Sequence, residues 1–186
     1  MAPVKSFNGK TTAPADEASI HSLKRGTIFL LLEERSTVIY RILRRSLNDN
    51  ALQGESNEDQ RNIQGLIVTR AYPPDLQREH DLGDVPIHWL TTNLRTDMRT
   101  IAPTTITKLN QVMTEFLQTP GEGLAVVDCL EYLITQNSFE VVLRLIQTWN
   151  DKVVGTKKRL LLSVDPLTLT IQKLHLIKKE CLELVS

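Results

Sequence analysis

The run Gly123-Leu124-Ala125-Val126-Val127-Asp128-Cys129-Leu130-Glu131-Tyr132-Leu133 constrains the fold more than any other stretch of the chain. It passes from glycine through four aliphatic residues straight into a carboxylate, without alternating apolar and polar positions. A strand with one wet face alternates, whereas a strand covered on both faces reads as a continuous apolar run. The pattern therefore predicts a fully buried parallel strand that delivers Asp128 to the carboxyl edge of an α/β sheet, where such sheets bind ligands.

Other apolar runs fit the same sheet. Thr27 to Leu32, Gly65 to Thr69, Val85 to Leu90 and Arg159 to Asp165 bring the expectation to about five strands. Between them the period changes to that of a helix. Val38, Ile39, Ile42, Leu43 and Leu47 form one stripe behind Ser36 as N-cap, with Arg41, Arg44 and Arg45 on the wet side. A second helix starts at Thr104 or Thr105, repeats Ile106, Leu109, Met113, Phe116 and Leu117, and stops at Pro120-Gly121. A third takes Asn137 as N-cap with Glu140 at N3, buries Phe139, Val142, Ile146, Trp149 and Val153, and closes at Gly155. Asp165-Pro166 reads as the cap and first residue of a last helix reaching about Leu184, with Leu174, Ile177, Cys181 and Leu184 inward. Strands alternating with helices predict a three-layer α/β/α domain around a mainly parallel sheet. Residues 1–24 are polar and read as a flexible tail, residues 25–186 as a single domain, and residues 48–64 as a polar loop.

Composition narrows the classes of partner. The 186 residues carry 22 Lys and Arg against 22 Asp and Glu, so the chain lacks the net positive charge of a general nucleic-acid binder. Two cysteines and four scattered histidines provide neither a disulfide framework nor zinc-ligand spacing. No apolar stretch approaches the ~20 residues that span a bilayer, and the amino terminus has no hydrophobic signal core. A cytoplasmic protein without membrane insertion, metal or cofactor is the expectation.

The carboxyl ends of the expected strands carry Glu33 and Glu34, Arg70, Trp89 with Thr91 and Thr92, Asp128 with Glu131, and Asp165. Such a rim either binds a charged ligand or forms a structural network. Asp165 has a plain role as a helix cap, and Asp128 has none, so Asp128 is the acid of most interest. A phosphate loop needs glycines that turn backbone amides inward and a lysine for the outer phosphates. After the first strand the chain reads Glu33-Glu34-Arg35-Ser36-Thr37, with no glycine or lysine and with carboxylates where phosphate would go. No Gly-x-Gly-x-x-Gly or Gly-x-Ser-x-Gly occurs, and Cys129 has no identifiable histidine partner, so it reads as a buried structural thiol.

Several segments together resemble a known family. They are Gly65 to Arg70 with Tyr72-Pro73, Ile87 to Thr91, Val126 to Ile134 with Asn137 and Phe139, Asp151-Lys152-Val153, and Leu160 to Pro166 with Leu169. In order and spacing they resemble the domain of unknown function 835 family, found largely in archaea, over residues from about 26 to the end. Cys129 stands where the family pattern leads one to expect glycine. The resemblance implies a domain often joined to sensory or receiver modules and without an assigned activity. It also implies a degenerate relative of RecA-type ATPases, with Val126-Val127-Asp128 in the place of a Walker B strand and the phosphate loop absent.

Together these features favour a non-catalytic signalling or regulatory module that acts by protein–protein contact, with a sensor, a regulator or its own copy as partner. The alternative is a small-ligand or nucleotide sensor that uses Arg70, Trp89, Thr91, Asp128, Glu131 and Asp165 without hydrolysis.

Overall fold

The computed structural model describes residues 18–52 and 63–184. Seven parallel strands form one sheet: β1 (Thr27–Leu32), β2 (Gln64–Thr69), β3 (Ile87–Leu90), β4 (Thr100–Ile101), β5 (Gly123–Val127), β6 (Lys158–Val164) and β7 (Leu182–Leu184). Their order across the sheet is β4-β3-β2-β5-β6-β1-β7, with β5 at the centre. The helices are α1 (Val38–Leu52), α2 (Pro73–His80), α3 (Ile106–Gln118), α4 (Leu130–Gln136), α5 (Phe139–Val153) and α6 (Ile171–Glu180).

The layering follows from the two-residue period of the strands. Ile28 and Leu30, Leu66 and Val68, Ala125 and Val127, and Leu160 and Leu162 point to one face, under α3, α4, α5 and α6. Phe29 and Leu31, Ile67, Leu124 and Val126, and Leu161 point to the other, under α1 and α2. Every residue of β5 and β6 is buried, as the unbroken apolar run requires. The helical stripes hold in the main, with Val38, Leu47, Ile106, Phe116 and Leu174 only partly buried, and the expected last helix stops at Glu180, so that Cys181 follows it and Leu184 belongs to β7. Leu109, Met113 and Leu117 of α3, and Phe139, Val142, Ile146, Trp149 and Val153 of α5, are all buried. Among the described residues, no helix is long and apolar enough to cross a membrane.

The sheet has seven strands rather than five. Strands β4 and β7 have only two and three residues, too few to show a period in sequence. Helix α2 begins at Pro73-Pro74, where the missing amides fall among those a helix leaves unbonded anyway. Helix α4 abuts α5, so one continuous apolar pattern hides two helices. Asn137 is accordingly the C-cap of α4, its side-chain amide donating to the carbonyl oxygens of Leu133 and Pro103. The N-cap of α5 is Ser138, whose hydroxyl accepts from the Val141 amide. Asp165 caps a single 3-10 turn at Pro166–Thr168, and α6 starts afresh behind the Thr170 hydroxyl.

Part of the expected tail packs on the sheet and α1. Ala18, Ile20 and Leu23 are buried against the α1 face, and the Arg159 guanidinium donates to the Leu23 carbonyl at 3.0 Å. Residues 1–17 of the expected tail, and residues 53–62 of the expected loop, lie outside the described residues. Of that loop, the stretch up to Leu52 continues α1 and Gln64 opens β2.

Gly123 is the most crowded of the glycines among the described residues. A Cβ there would lie 2.9 Å from Lys158 Cδ, 2.9 Å from Phe116 Cζ and 3.0 Å from the Gln64 carbonyl oxygen. Lys158 is itself fully buried, its ammonium bonded to Gln64 Oε1 and 4.8 Å above the Phe116 ring, so it has little room to yield. Gly123→Ala should lower stability by about 1–3 kcal/mol, the range for overpacking a filled core. Urea unfolding measures this as a shifted midpoint with an unchanged slope.

Candidate functional site

The carboxyl edge is built where β2, β5 and β6 end side by side. Val68 pairs with Val127, so Thr69 and Asp128 follow as neighbours, and the Asp128 amide donates to the Val68 carbonyl at 3.3 Å. Helix α1, packed on the opposite face from α5, brings the Tyr40 hydroxyl onto Asp128 Oδ2. The Thr69 hydroxyl donates to the same oxygen at 3.0 Å and accepts from the Ala71 amide. Asp128 Oδ1 is closed off from solvent and, among the described residues, meets no hydrogen-bond donor.

These surroundings set the acid's strength. Burial pushes the Asp128 carboxyl up to about 6; the two hydroxyls pull it part of the way back, and the nearby Glu131 charge pushes it up further. The Tyr40 phenol is also raised, first by burial and then by the Asp128 charge, so it stays protonated and donates. Its ring stacks on His80 of α2 at 4.7 Å. Asp128 is thus clamped between two hydroxyls rather than displayed to a ligand.

Glu131 and Asp165 form a second, separate link. Glu131 Oε1 accepts from the Asp165 amide at 2.6 Å, and Asp165 Oδ1 accepts from the Leu167 amide at 2.9 Å. Burial raises the Glu131 carboxyl, while its bond to the Asp165 amide opposes the shift. Both acids therefore hold the connection between β6 and α6 in shape. Thr91 is buried for a similar reason: its amide donates to the Ile101 carbonyl and its hydroxyl accepts from the Asn93 amide, closing the turn after β3.

Arg70 and Trp89 lie on the β2 side of the rim. The Trp89 indole N–H donates to the Arg70 carbonyl at 3.0 Å, and the Tyr72 ring meets Trp89 edge-on at 5.4 Å. The Arg70 guanidinium is exposed and rests 4.9 Å above the Tyr132 ring. No ion pair engages it among the described residues. The six expected residues therefore divide into an Asp128 clamp, a Glu131–Asp165 link, the Arg70–Trp89 aromatic group and the Thr91 turn. They do not converge on one point.

Three further residues complete the rim. Tyr40 is not among the residues that the spacing of α1 marks as its stripe, and Thr69 reads only as the last residue of an apolar strand. Glu33 is legible in sequence as a rim acid and as like charge in the path of a phosphate, but not as a helix cap. Its carboxylate in fact accepts from the amides of Thr37, Val38 and Ile39 at 3.1, 2.8 and 3.3 Å, and from the Ser163 hydroxyl at 2.9 Å. The amino terminus of a helix is an anion site by virtue of its free amides and its dipole. Here the anion is the protein's own. Ser36, expected as the cap, instead pairs its hydroxyl with Ser163 at 3.2 Å.

Among the described residues, no group of three or more His, Cys, Asp or Glu is placed to hold a metal ion. Cys129 is buried, its thiol pushed up by burial and directed at the Val68 carbonyl 3.5 Å away, which suits packing rather than nucleophilic attack. A cavity of about 850 Å³ opens at the opposite edge, where β2 and β3 begin, between Arg44 and Ile63 on one side and His88, Arg99 and Phe116 on the other.

The raised Asp128 carboxyl makes stability depend on pH with a definite sign. The folded state holds this proton more tightly than the unfolded chain, whose ordinary value is 3.8, so the stabilising contribution is fully present below that value and is lost as pH rises through about 6. Asp128→Asn should flatten this stretch of the stability–pH curve, and the wild-type loss across it should be on the order of 3 kcal/mol. Tyr40→Phe should cost about 1–3 kcal/mol at pH 8, where it leaves the buried carboxylate short of a donor. Denaturant unfolding at pH 4 and pH 8 measures both.

No curated protein matches the chain. A solved protein structure from Pyrococcus horikoshii OT3 is similar in fold, with a TM-score of 0.55 and 12% sequence identity, covering 88% of this chain and 84% of that one. Residues 30–181 match the family described as "Protein of unknown function (DUF835)". That span runs from β1 to the end of α6 and takes in the Asp128 clamp, the Glu33 anion and the aromatic group alike. The chain is a member of the DUF835 family.

Proposed function

We propose that the protein is a non-catalytic signalling or regulatory module that works by protein–protein contact and has RecA-type ATPases as distant, nucleotide-using relatives. The observation that carries this reading is the seat of Glu33. In an α/β sheet that handles nucleotides, the first turn of the helix after the first strand receives phosphate through its amides. Those amides already hold a carboxylate. A phosphate entering there would have to displace Glu33 and then face its charge. Asp128, the acid that would otherwise serve a metal-bound nucleotide, has one oxygen occupied by two hydroxyls and the other enclosed in the interior. Both groups that nucleotide hydrolysis would need are engaged within the fold, which leaves the surface as the working part.

A small-ligand sensor at the rim is the second reading, and the open guanidinium of Arg70 above Tyr132 favours it. One thermal-shift experiment with phosphate, ATP and GTP with magnesium, and a panel of nucleotide second messengers tests both. The wild-type protein should show no shift and no phosphate release. Glu33→Ala should lose about 0.5–2 kcal/mol, the cost of removing a cap, and should regain stability in millimolar phosphate or sulfate but not in chloride. Turnover of a nucleotide by the wild type would overturn the module reading. A stabilising hit abolished by Arg70→Ala would favour the sensor.

A further inference from the structure

The cavity of about 850 Å³ at the amino edge of the sheet has no part in the Asp128 clamp, the Glu33 anion seat or the aromatic group. Its position follows from the topology. A helix that crosses between parallel strands runs back against them, so α3 ends where β2 and β3 begin. Val112 and Phe116 of α3 therefore line the cavity together with Ile63, Leu66 and Val85. This apolar floor is pinned in place. The Gln64 side chain donates to the Pro120 carbonyl at 3.0 Å, and its oxygen takes the buried Lys158 ammonium, which stands 4.8 Å from the Phe116 ring. Sites for small molecules measure roughly 300–1,000 Å³ and join such a floor to a few polar groups.

His88 is the polar group of the cavity that has no structural task. It pairs with Val68 of β2, and the two-residue period puts its ring on the α3 face with Leu90. The imidazole is half-buried and makes no hydrogen bond among the described residues, so both ring nitrogens are unspent. A polar group taken from water without a partner costs free energy, which a bound ligand returns. Burial and neighbouring cations hold the ring down to about 4, so it is neutral near pH 7 and keeps one N–H to donate. The charges felt there are, in falling order, Arg99, Lys108 and Glu115, so two cations outweigh one acid. Neither cation is in an ion pair among the described residues. Of the other charges in the lining, Arg44 and Asp81 hold each other at 3.2 Å, and Asp84 is exposed before β3.

We infer that this cavity binds a small organic carboxylate with an apolar body, the carboxylate lying on the Arg99 guanidinium and the His88 N–H and the body on Phe116, Val112 and Leu66. The inference goes beyond the interaction-module reading and does not depend on it. A guanidinium meets a carboxylate through two parallel bonds. A neutral imidazole adds a third donor without a buried charge to keep desolvated in the empty site. The floor then contributes in proportion to the apolar area it covers, so an inorganic anion would use only the polar half of the site.

The test titrates the full chain, labelled for amide and imidazole NMR, with four probes: indole-3-acetate, its uncharged methyl ester, tryptamine and inorganic phosphate. Indole-3-acetate should shift the amides of His88, Arg99, Val112 and Phe116 saturably. It should also move the His88 titration up from about 4, because a carboxylate beside the ring favours its charged form. Arg99→Gln should weaken binding about tenfold or more, the worth of hydrogen bonds to a charged group. Its melting temperature should stay within about 2 °C of the wild type, since the side chain is exposed. Equal binding of the methyl ester, or tighter binding of tryptamine, overturns the carboxylate. Phosphate binding as tightly as indole-3-acetate overturns the apolar body. Unchanged affinity in Arg99→Gln, no shift at all, or shifts confined to Arg70 and its neighbours on the carboxyl rim overturn the site. All of these outcomes leave the module reading standing, whereas nucleotide turnover removes that reading without touching the cavity shifts.

Discussion

Strands β5 and β6 have no residue facing water, and the rest of the molecule follows from covering them. A parallel sheet closed on both faces needs helices on both, and the chain supplies α1 and α2 to one side and α3 to α6 to the other. The requirement is strict enough to bury cations at the edge of the sheet. Lys158, at the start of β6, is fully buried and has its ammonium pushed down to about 8 by desolvation, with only Gln64 Oε1 and the Phe116 ring to receive it. Arg159 beside it is compensated differently, by Glu122 at 2.7 Å and the Leu23 carbonyl. Burying a charge is costly unless it is paired and hydrogen-bonded, and the two residues illustrate a weaker and a stronger solution.

The same layering makes the carboxyl edge a place where polar groups must find one another. Strands from a closed interior end there together, and the helices on each face lean their side chains over the gap. Tyr40 reaches Asp128 from α1, Glu131 reaches the Asp165 amide from α4, and Glu33 turns back onto the first amides of α1. Each bond joins elements that are distant in sequence or closes a helix end that would otherwise be bare. The geometry engages Asp128 and Glu33 within the fold and leaves Arg35, Arg70 and Glu34 outward.

Much of the fold was written in the periodicity of the chain. The unbroken run at Gly123 to Val127 determined a doubly buried parallel strand, and the three- and four-residue spacing of Phe139 to Val153 determined which side of α5 would be covered. These patterns survive in sequence because burial acts on every residue of a long element. Where elements are short the signal vanishes: two-residue β4, three-residue β7 and α4 all depend on neighbours already in place. Asn137 and Asp165 were legible as capping residues but not as to which end, or which helix, each would cap.

At the site, sequence alone determined that Asp128 would end the central strand and that no phosphate loop would follow β1. Only the tertiary structure decided what each acid does. Asp128 and Tyr40 are 88 positions apart, and Glu33 and Ser163 are 130 apart. A hydrogen bond acts over about 3 Å and leaves no mark on the spacing of residues so far separated. Asp128, the carboxylate most suggestive of catalysis when read along the chain, is therefore held by two hydroxyls at one oxygen and shut off from solvent at the other.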